Sequence, residues 1–313
     1  MKTRILVALA AVYLAWGSTY LAILYGVESI PPFLLAGTRF LIAGAIVYAW
    51  RRLAGDAAPS RKQWRSAGII GVLLLVGGNG GVTWAEQRVA SGIAALLVAS
   101  VPLWMVMLDA LRRGGSRPNW QTGLGVLVGL AGIGILISPA QWSGNGLSLD
   151  RFGVIALLLA ALLWAIGSLY SRGADLPSSA LLGTGMEMLA GSAGLFLMAT
   201  VTGEWGRLDL EAVTLRSLGG LAYLIVFGSL VGFVAYTWLL RVAPTPLVST
   251  YAYVNPLIAV LLGSLFAKEA FTPRILLAAA VIVSAVVLIN SGRAKSSQPL
   301  PKRMVLAPTS GED

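Results

Sequence analysis

The stretch ILVALAAVYLAWGSTYLAILY, residues 5–25, runs without a single charged side chain. A helix needs about 20 predominantly apolar residues to cross the roughly 30 Å hydrocarbon core of a bilayer. Nine more predominantly apolar runs follow, separated by charged or Pro- and Gly-rich segments: 33–50, 66–87, 90–112, 119–138, 151–171, 179–202, 216–240, 246–267 and 273–291. The sequence therefore predicts an all-α integral membrane protein with ten transmembrane helices.

The composition also indicates a chain that lies mostly in the bilayer. Hydrophobic residues make up 57% of the 313 positions and charged residues only 12%, against about 25% charged residues in soluble proteins. So few charges could not cover the surface of a soluble globular domain, and the lipid bilayer is the expected partner. The net charge of +10 fits basic loops that orient a membrane protein, so no nucleic-acid binding is expected.

The chain contains no cysteine and no histidine. Their absence removes Ser-His and Cys-His catalysis and the thiolate and imidazole ligands of metal sites. A Walker A motif requires Gly-Lys before Ser or Thr, and none of the five lysines follows a glycine. We therefore expect a protein that is not an enzyme, with no metal, no cofactor and no direct use of ATP.

Lysine and arginine predict the orientation of the chain. With a cytoplasmic N-terminus, 16 of the 23 basic residues fall in cytoplasmic segments, 6 fall outside, and Arg39 lies within a span. The excess favours a multi-pass protein of the inner (cytoplasmic) membrane with both termini in the cytoplasm. Residues 292–313 lack apolar periodicity and are predicted to form a disordered cytoplasmic tail.

The two halves of the chain resemble each other. The pair Thr83-Trp84 recurs as Thr237-Trp238, and Pro102 recurs as Pro256 at the same offset. Each half holds five predicted spans, and an odd number forces the second copy into the membrane upside down. Such inverted repeats are typical of transporters, whose substrate sites lie near the midplane between the halves. The predicted repeats are residues 5–138 (helices 1–5) and residues 151–291 (helices 6–10).

Four short motifs carry a resemblance to a known family: Trp16-Gly17-Ser18-Thr19, Arg39-Phe40, Ser91-Gly92-Ile93-Ala94-Ala95, and Tyr251-Ala252-Tyr253-Val254-Asn255-Pro256 with Glu269. Together they resemble the EamA family of the drug/metabolite transporter superfamily, over about residues 5–291. The resemblance implies ten helices in two inverted EamA repeats around a central cavity. It also implies export of metabolites or drugs, without giving the substrate.

Polar and aromatic side chains inside spans are candidates for the cavity wall, because hydrocarbon makes polar groups costly. The predicted wall consists of Trp16, Thr19, Tyr20, Asn79, Thr83, Trp104, Trp164, Ser168, Tyr236, Tyr251 and Asn255. Two other interpretations remain open. Small residues around these positions could simply pack helices, and Trp and Tyr also form belts at the membrane interface.

Three charges fall within predicted spans: Arg39, Glu86 and Glu187. Arg39 is interpreted either as a gate or as the structural partner of Glu187 or Glu86. An ionised carboxylate in hydrocarbon is costly, so Glu187 is also the candidate to carry a proton. Pro102 and Pro256 predict matched kinks, either at the site or as static packing features.

The leading hypothesis is a secondary transporter, an exporter of small metabolites or drugs that works by alternating access. Facilitated diffusion and proton exchange are the open modes of energy coupling. The alternative is a channel or a structural membrane protein without a carrier cycle, and an intramembrane enzyme is the least favoured class. The sequence leaves the substrate and the oligomeric state open.

Overall fold

The computed structural model describes residues 2–112, 118–137, 150–243, 245–248 and 250–296, and within them the regular elements are helices. We label ten of these: α1 (Lys2–Gly26), α2 (Pro32–Leu53), α3 (Arg61–Ile70, Gly71–Gly80 and Gly81–Ala85), α4 (Ser91–Val98 and Val101–Leu111), α5 (Trp120–Leu136), α6 (Arg151–Ser171), α7 (Ala180–Val201), α8 (Leu215–Tyr223, Leu224–Val231 and Gly232–Val242), α9 (Tyr251–Ala267) and α10 (Pro273–Ser296). A one-turn helix, Thr245–Val248, precedes α9, and a short 3₁₀ turn, Glu204–Gly206, follows α7.

Eight of these helices are long and apolar enough to cross a membrane, within the part of the chain that the structure describes. The other two, α5 and α9, are apolar helices of 17 residues each. All ten fall within or across the apolar runs found in the sequence. The described part of the chain is therefore all-helical, and its helices suit a membrane protein.

The last helix ends later than predicted. It continues to Ser296, five residues beyond the predicted boundary. The amide of Asn119 donates a hydrogen bond of 2.8 Å to the Gly292 carbonyl, which ties this last part of α10 to the start of α5. Residues 292–296 of the predicted tail are thus helical, and residues 297–313 lie outside the described part.

Helix contacts repeat when the two halves are exchanged. The pairs α2–α7, α4–α9 and α5–α10 each join equivalent helices of the two halves. The other main contacts come in matched sets: α1–α8 with α6–α3, α1–α9 with α6–α4, and α2–α8 with α7–α3. The halves therefore interlock, and each buries its apolar faces against the other.

Side-chain carboxylates join the halves at helix ends. Glu204, after α7, accepts hydrogen bonds from the backbone N–H groups of Phe33 (2.9 Å) and Leu34 (3.0 Å) at the start of α2. Burial raises the pKa of the Glu204 carboxyl, and these two backbone hydrogen bonds act in the opposite direction. In the first half, Asp56 follows α2, and its carboxylate is hydrogen-bonded to the side chain of Ser179, the residue before α7. Hydrogen bonds from Arg51 and then Ser179 lower the pKa of Asp56 to about 2.

A third carboxylate holds the start of α4. Glu269, between α9 and α10, accepts from the N–H groups of Ser91 (2.6 Å) and Gly92 (3.0 Å). The first N–H groups of a helix have no partner within the helix, and the positive end of the helix dipole favours an anion there. Glu204 and Glu269 therefore supply partners that the helices themselves lack.

Glycines allow the closest helix approaches. A Cβ atom at Gly71 in α3 would lie 2.6 Å from the Glu187 carbonyl oxygen and 2.9 Å from the Gly191 nitrogen, both in α7. Because both contacts are with backbone atoms, no side-chain rotation could relieve them. Small residues at such crossings are what membrane helices use to pack closely.

Gly71→Ala should therefore destabilise the protein, since it forces α3 and α7 apart. The expected cost is about 1–3 kcal/mol, typical of overpacking. The matched control is Gly123→Ala in α5, where a Cβ atom has no neighbour within 4 Å. This control should be neutral or gain up to about 1 kcal/mol from helix propensity. Thermal unfolding of the purified variants in detergent measures both, and equal midpoints would refute the close approach.

Candidate functional site

A cavity of about 170 Å³ lies between helices of both halves. The first half contributes wall residues from α1 to α4, and the second half contributes them from α6, α8 and α9. Seven of the wall residues predicted from the sequence line it: Trp16, Thr19, Tyr20, Asn79, Trp164, Tyr251 and Asn255. The structure therefore brings together residues that are up to 239 positions apart in the chain.

The other four predicted wall residues do not line the cavity. Thr83 is buried, and its hydroxyl donates to the Asn79 carbonyl one turn earlier in α3 (2.8 Å), so it serves its own helix. Tyr236 does not line the cavity, and its ring packs against the wall residue Trp16. Trp104 and Ser168, in α4 and α6, do not line the cavity, and the buried indole nitrogen of Trp104 has no hydrogen-bond partner among the described residues.

Four aromatic rings form a cluster beside the cavity, and three of them, Trp16, Phe233 and Tyr251, line it. Trp16 packs against Phe233, Tyr236 and Tyr251, with ring centroids 5.4, 5.0 and 5.1 Å apart. Tyr236 and Tyr251 are 5.6 Å apart in a nearly perpendicular arrangement. Edge-to-face pairs of this kind add to the free energy of apolar burial. The cluster ties α1, α8 and α9 together beside the cavity.

Both α3 and α8 widen into a π-helical segment next to the cavity. Asn79, in the segment of α3, lines the wall directly. In the segment of α8, the Gly228 carbonyl accepts a hydrogen bond from the Trp16 indole (3.1 Å), and the Ser229 hydroxyl accepts one from Arg39 (2.8 Å). π-Helical turns are rare and often occur at functional sites, because they redirect groups that an α-helix would hold in place.

Arg39 is a buried charge on the cavity wall. Only 5% of its surface is exposed, and its guanidinium also lies over the Phe40 ring, 4.7 Å from the centroid. The sequence left a pairing with Glu187 or Glu86 open. The structure places neither carboxylate within ion-pair distance of Arg39, and the guanidinium uses the Ser229 hydroxyl instead.

The two membrane carboxyls have different surroundings. Glu86 follows the last residue of α3, and it is 2% exposed with neither oxygen hydrogen-bonded within the described structure. It lies one turn beyond Val82, which lines the cavity. Glu187 is half-buried in α7 and lies away from the cavity. Glu86 is thus the carboxyl that lies nearer the candidate site.

The two predicted kinks also differ. α4 is interrupted at Ala99 and Ser100, and Pro102 stands in the first turn of its second segment, where a missing N–H is tolerated. α9 begins at Tyr251 and runs continuously through Pro256 to Ala267. The interruption of α4 and the start of α9 both adjoin the cavity, since Ala99 and Tyr251 are wall residues.

Sequence reasoning missed the apolar and small wall residues. These are Ile23, Gly78, Val82, Ala95, Val98, Ala99, Val101, Ala160, Phe233 and Ala252. Some carried a usable signal: Ile23 is four residues after Thr19, and Val82 is three after Asn79, so each shares a helical face with a predicted residue. The wall residues of α4 are all apolar, and the neighbouring Ser100 is buried without lining the cavity.

The comparisons with known proteins agree with this architecture. The model of the EamA-like transporter family matches residues 3–138 and 151–291. The chain is 40% identical over 305 residues to the uncharacterized inner membrane transporter YedA of Escherichia coli K12, covering 96% of this chain and 94% of that protein. It is 24% identical to the uncharacterized transporter YvbV of Bacillus subtilis, covering 93% and 92% of the two chains.

A solved crystal structure shows the same fold. It superposes with a TM-score of 0.64 and covers 95% of this chain and 100% of its own. The two sequences are 20% identical, so this likeness concerns the fold alone.

Proposed function

The chain belongs to the EamA-like transporter family, and from this premise we propose that it exports small metabolites or drugs across the cytoplasmic membrane by alternating access. Relatives named as transporters place it among membrane transport proteins and not among enzymes. The observation that carries the finer proposal is the cavity, because both halves supply its wall. A site between two halves that rock against each other can face each side of the membrane in turn.

Inverted repeats are one common architecture for alternating access, because the two halves can then exchange conformations around a central site. We propose two inverted repeats of five helices, residues 5–138 and 151–291, with both termini in the cytoplasm. The matched contact sets, such as α1–α8 with α6–α3, support an exchangeable arrangement. The π-helical segments of α3 and α8, which are equivalent helices, support it as well.

The topology can be tested at one equivalent position in each half. Gly55 follows α2 and Glu211 follows α7, so an inverted repeat places them on opposite sides of the membrane. A fluorescent reporter fused after Gly55 should be active, which indicates the cytoplasm. A phosphatase fused after Glu211 should be active, which indicates the outer side. Cytoplasmic location of both positions would refute the inverted repeat.

A channel is the competing function, and it differs in structure as well as kinetics. A channel needs a continuous polar path, whereas Trp16, Phe233 and Tyr251 of the aromatic cluster line this cavity and most of the other wall residues are apolar. The cavity therefore suits occlusion of a single molecule better than free passage.

Transport is tested once a ligand is found by thermal-shift screening of the purified protein with metabolites and drugs. A ligand at 100 times its Kd should stabilise the folded state by about 2.7 kcal/mol. Liposomes preloaded with that ligand should then take up a labelled trace in a transient overshoot, which a channel does not produce. Trp16→Ala, Trp164→Ala and Asn255→Ala should each raise the Kd by about tenfold or more, corresponding to about 1.4 kcal/mol.

The matched control for these variants is Trp120→Ala, since Trp120 is 80% exposed and far from the wall. It should leave the Kd unchanged. An unaltered Kd in all three wall variants would show that these residues only pack helices, and simple equilibration without an overshoot would favour a channel.

We further propose that export is coupled to proton exchange through a buried carboxyl. An ionised carboxylate within the membrane is costly, at about 3 kcal/mol on insertion scales. Glu86 carries this cost without a hydrogen-bond partner in the described structure, and it lies one turn from the cavity wall. Glu187, the candidate favoured by sequence alone, lies away from the cavity and suits a structural role.

Glutamine variants separate these roles. Glu86→Gln mimics the protonated carboxyl, so counterflow should survive while accumulation driven by a pH gradient is lost. Glu187→Gln should keep both activities, and Glu211→Gln, on an exposed loop, is the control. Accumulation by Glu86→Gln at the parental rate would dismiss Glu86 as the proton carrier, and selective loss in Glu187→Gln would reinstate Glu187.

A further inference from the structure

We propose that the cavity binds a ligand with an anionic group, and that Arg39 is the residue that holds this group. This inference rests on the proposed function, because it names the chemical class of the transported molecule. The aromatic wall alone would suit flat neutral or cationic molecules equally well. Arg39 adds a positive charge to this wall, so an anionic ligand is expected instead.

The guanidinium of Arg39 has unused hydrogen-bonding capacity. An arginine side chain offers five N–H donors. Its Nε donates to the Ser229 hydroxyl at 2.8 Å, and the remaining donors have no recorded hydrogen-bond acceptor in the described structure. The side chain is 5% exposed and is one of the residues that line the cavity, so we place the anionic group of the ligand beside its guanidinium.

No carboxylate neutralises this charge in the part of the chain that the structure describes. The ion pairs there lie elsewhere: Arg51–Asp56, Arg88–Asp150, Arg207–Glu204 and Arg216–Glu28. Glu86 and Glu187, the two carboxyls within predicted membrane spans, are not among the partners of Arg39. A buried charge without a partner is costly, so a ligand that supplies the opposite charge gains binding free energy.

The geometry of the group favours a carboxylate or another planar or tetrahedral oxyanion. Guanidinium groups bind such anions through two parallel N–H···O bonds, which are stronger than neutral hydrogen bonds. A cationic ligand would meet the same charge in a region of low dielectric constant, where repulsion is strong. The wall should therefore rank anions above neutral molecules of equal shape, and neutral molecules above cations.

The cavity volume limits the size of the ligand. Its 170 Å³ is close to the volume of an engineered cavity of about 150 Å³ that accepts benzene. A single ring or a short aliphatic chain bearing one anionic group fits this space, with the apolar part against Trp16, Trp164 and Tyr251.

Three molecules of the same shape test the proposal: benzoate, benzamide and benzamidine, which are anionic, neutral and cationic at neutral pH. Calorimetric titration into the full-length protein, in nanodiscs of uncharged phosphatidylcholine, gives their affinities. Benzoate should bind about tenfold or more tightly than benzamide, as expected of a charge-assisted pair of hydrogen bonds. Benzamidine should bind most weakly. Equal affinities, a preference for benzamidine, or no benzoate binding in the millimolar range would overturn the proposal.

Variants assign the preference to Arg39. Arg39→Gln should bind benzoate and benzamide equally, and its binding of benzamide reports that the cavity is intact. Arg39→Lys keeps the charge without the planar fork, so part of the preference should return. Arg216→Gln, at an exposed arginine paired with Glu28, should retain the parental ranking. If Arg39→Gln kept the preference for benzoate, Arg39 would not be the anion site. If Arg39→Gln did not fold, Arg39→Lys would decide, and equal binding of the three probes by Arg39→Lys would also show that Arg39 is not the anion site.

These measurements are independent of transport. A protein that ranks the probes as expected and shows no counterflow would refute the carrier and keep the anion site. A protein that shows counterflow of its own ligand and ranks the three probes equally would refute the anion site and keep the carrier.

Discussion

Hydrocarbon offers no hydrogen-bond partner to the backbone, and the organisation of this chain follows from that constraint. Helices satisfy most N–H and C=O groups internally, but the first N–H groups of each helix remain without partners. At the starts of α2 and α4, the partners come from Glu204 and Glu269, which belong to the other half of the chain. Satisfying the helix ends therefore also fastens the two halves together.

The same constraint explains why the cavity lies where helices are irregular. The π-helical segment of α3 and the interruption of α4 at Ala99 contribute wall residues, and the π-helical segment of α8 hydrogen-bonds the wall residues Trp16 and Arg39. Backbone groups released at such places need new partners, and the Gly228 carbonyl finds one in the Trp16 indole. Irregular backbone at membrane depth is tolerated where it is buried in protein or lines a cavity. In this protein the irregular backbone contributes wall residues, and its hydrogen bond with Trp16 connects α1 to α8.

The helices could be predicted from sequence because one physical requirement, an apolar length close to the bilayer thickness, produces them. Seven wall residues could be predicted for a related reason: a polar or aromatic side chain in a span needs an explanation. Tyr236 could not be separated from Tyr251 in this way, since both are tyrosines in apolar spans and both pack against Trp16. The Glu204 contacts with α2 could not be foreseen either, because about 170 positions separate the partners.

The crossing of α3 and α7 has a consequence for how such proteins can diversify. At Gly71 the space that a side chain would need is occupied by backbone atoms of the neighbouring helix. Substitution of Gly71 by a larger residue is therefore unfavourable, since every larger residue must displace the backbone of α7. Wall residues such as Val82, Ala95 and Ala160 face open volume and leave this crossing untouched. Proteins with this helix packing can therefore change the molecule that they bind by substitutions at the wall residues, while the packing of their helices stays the same.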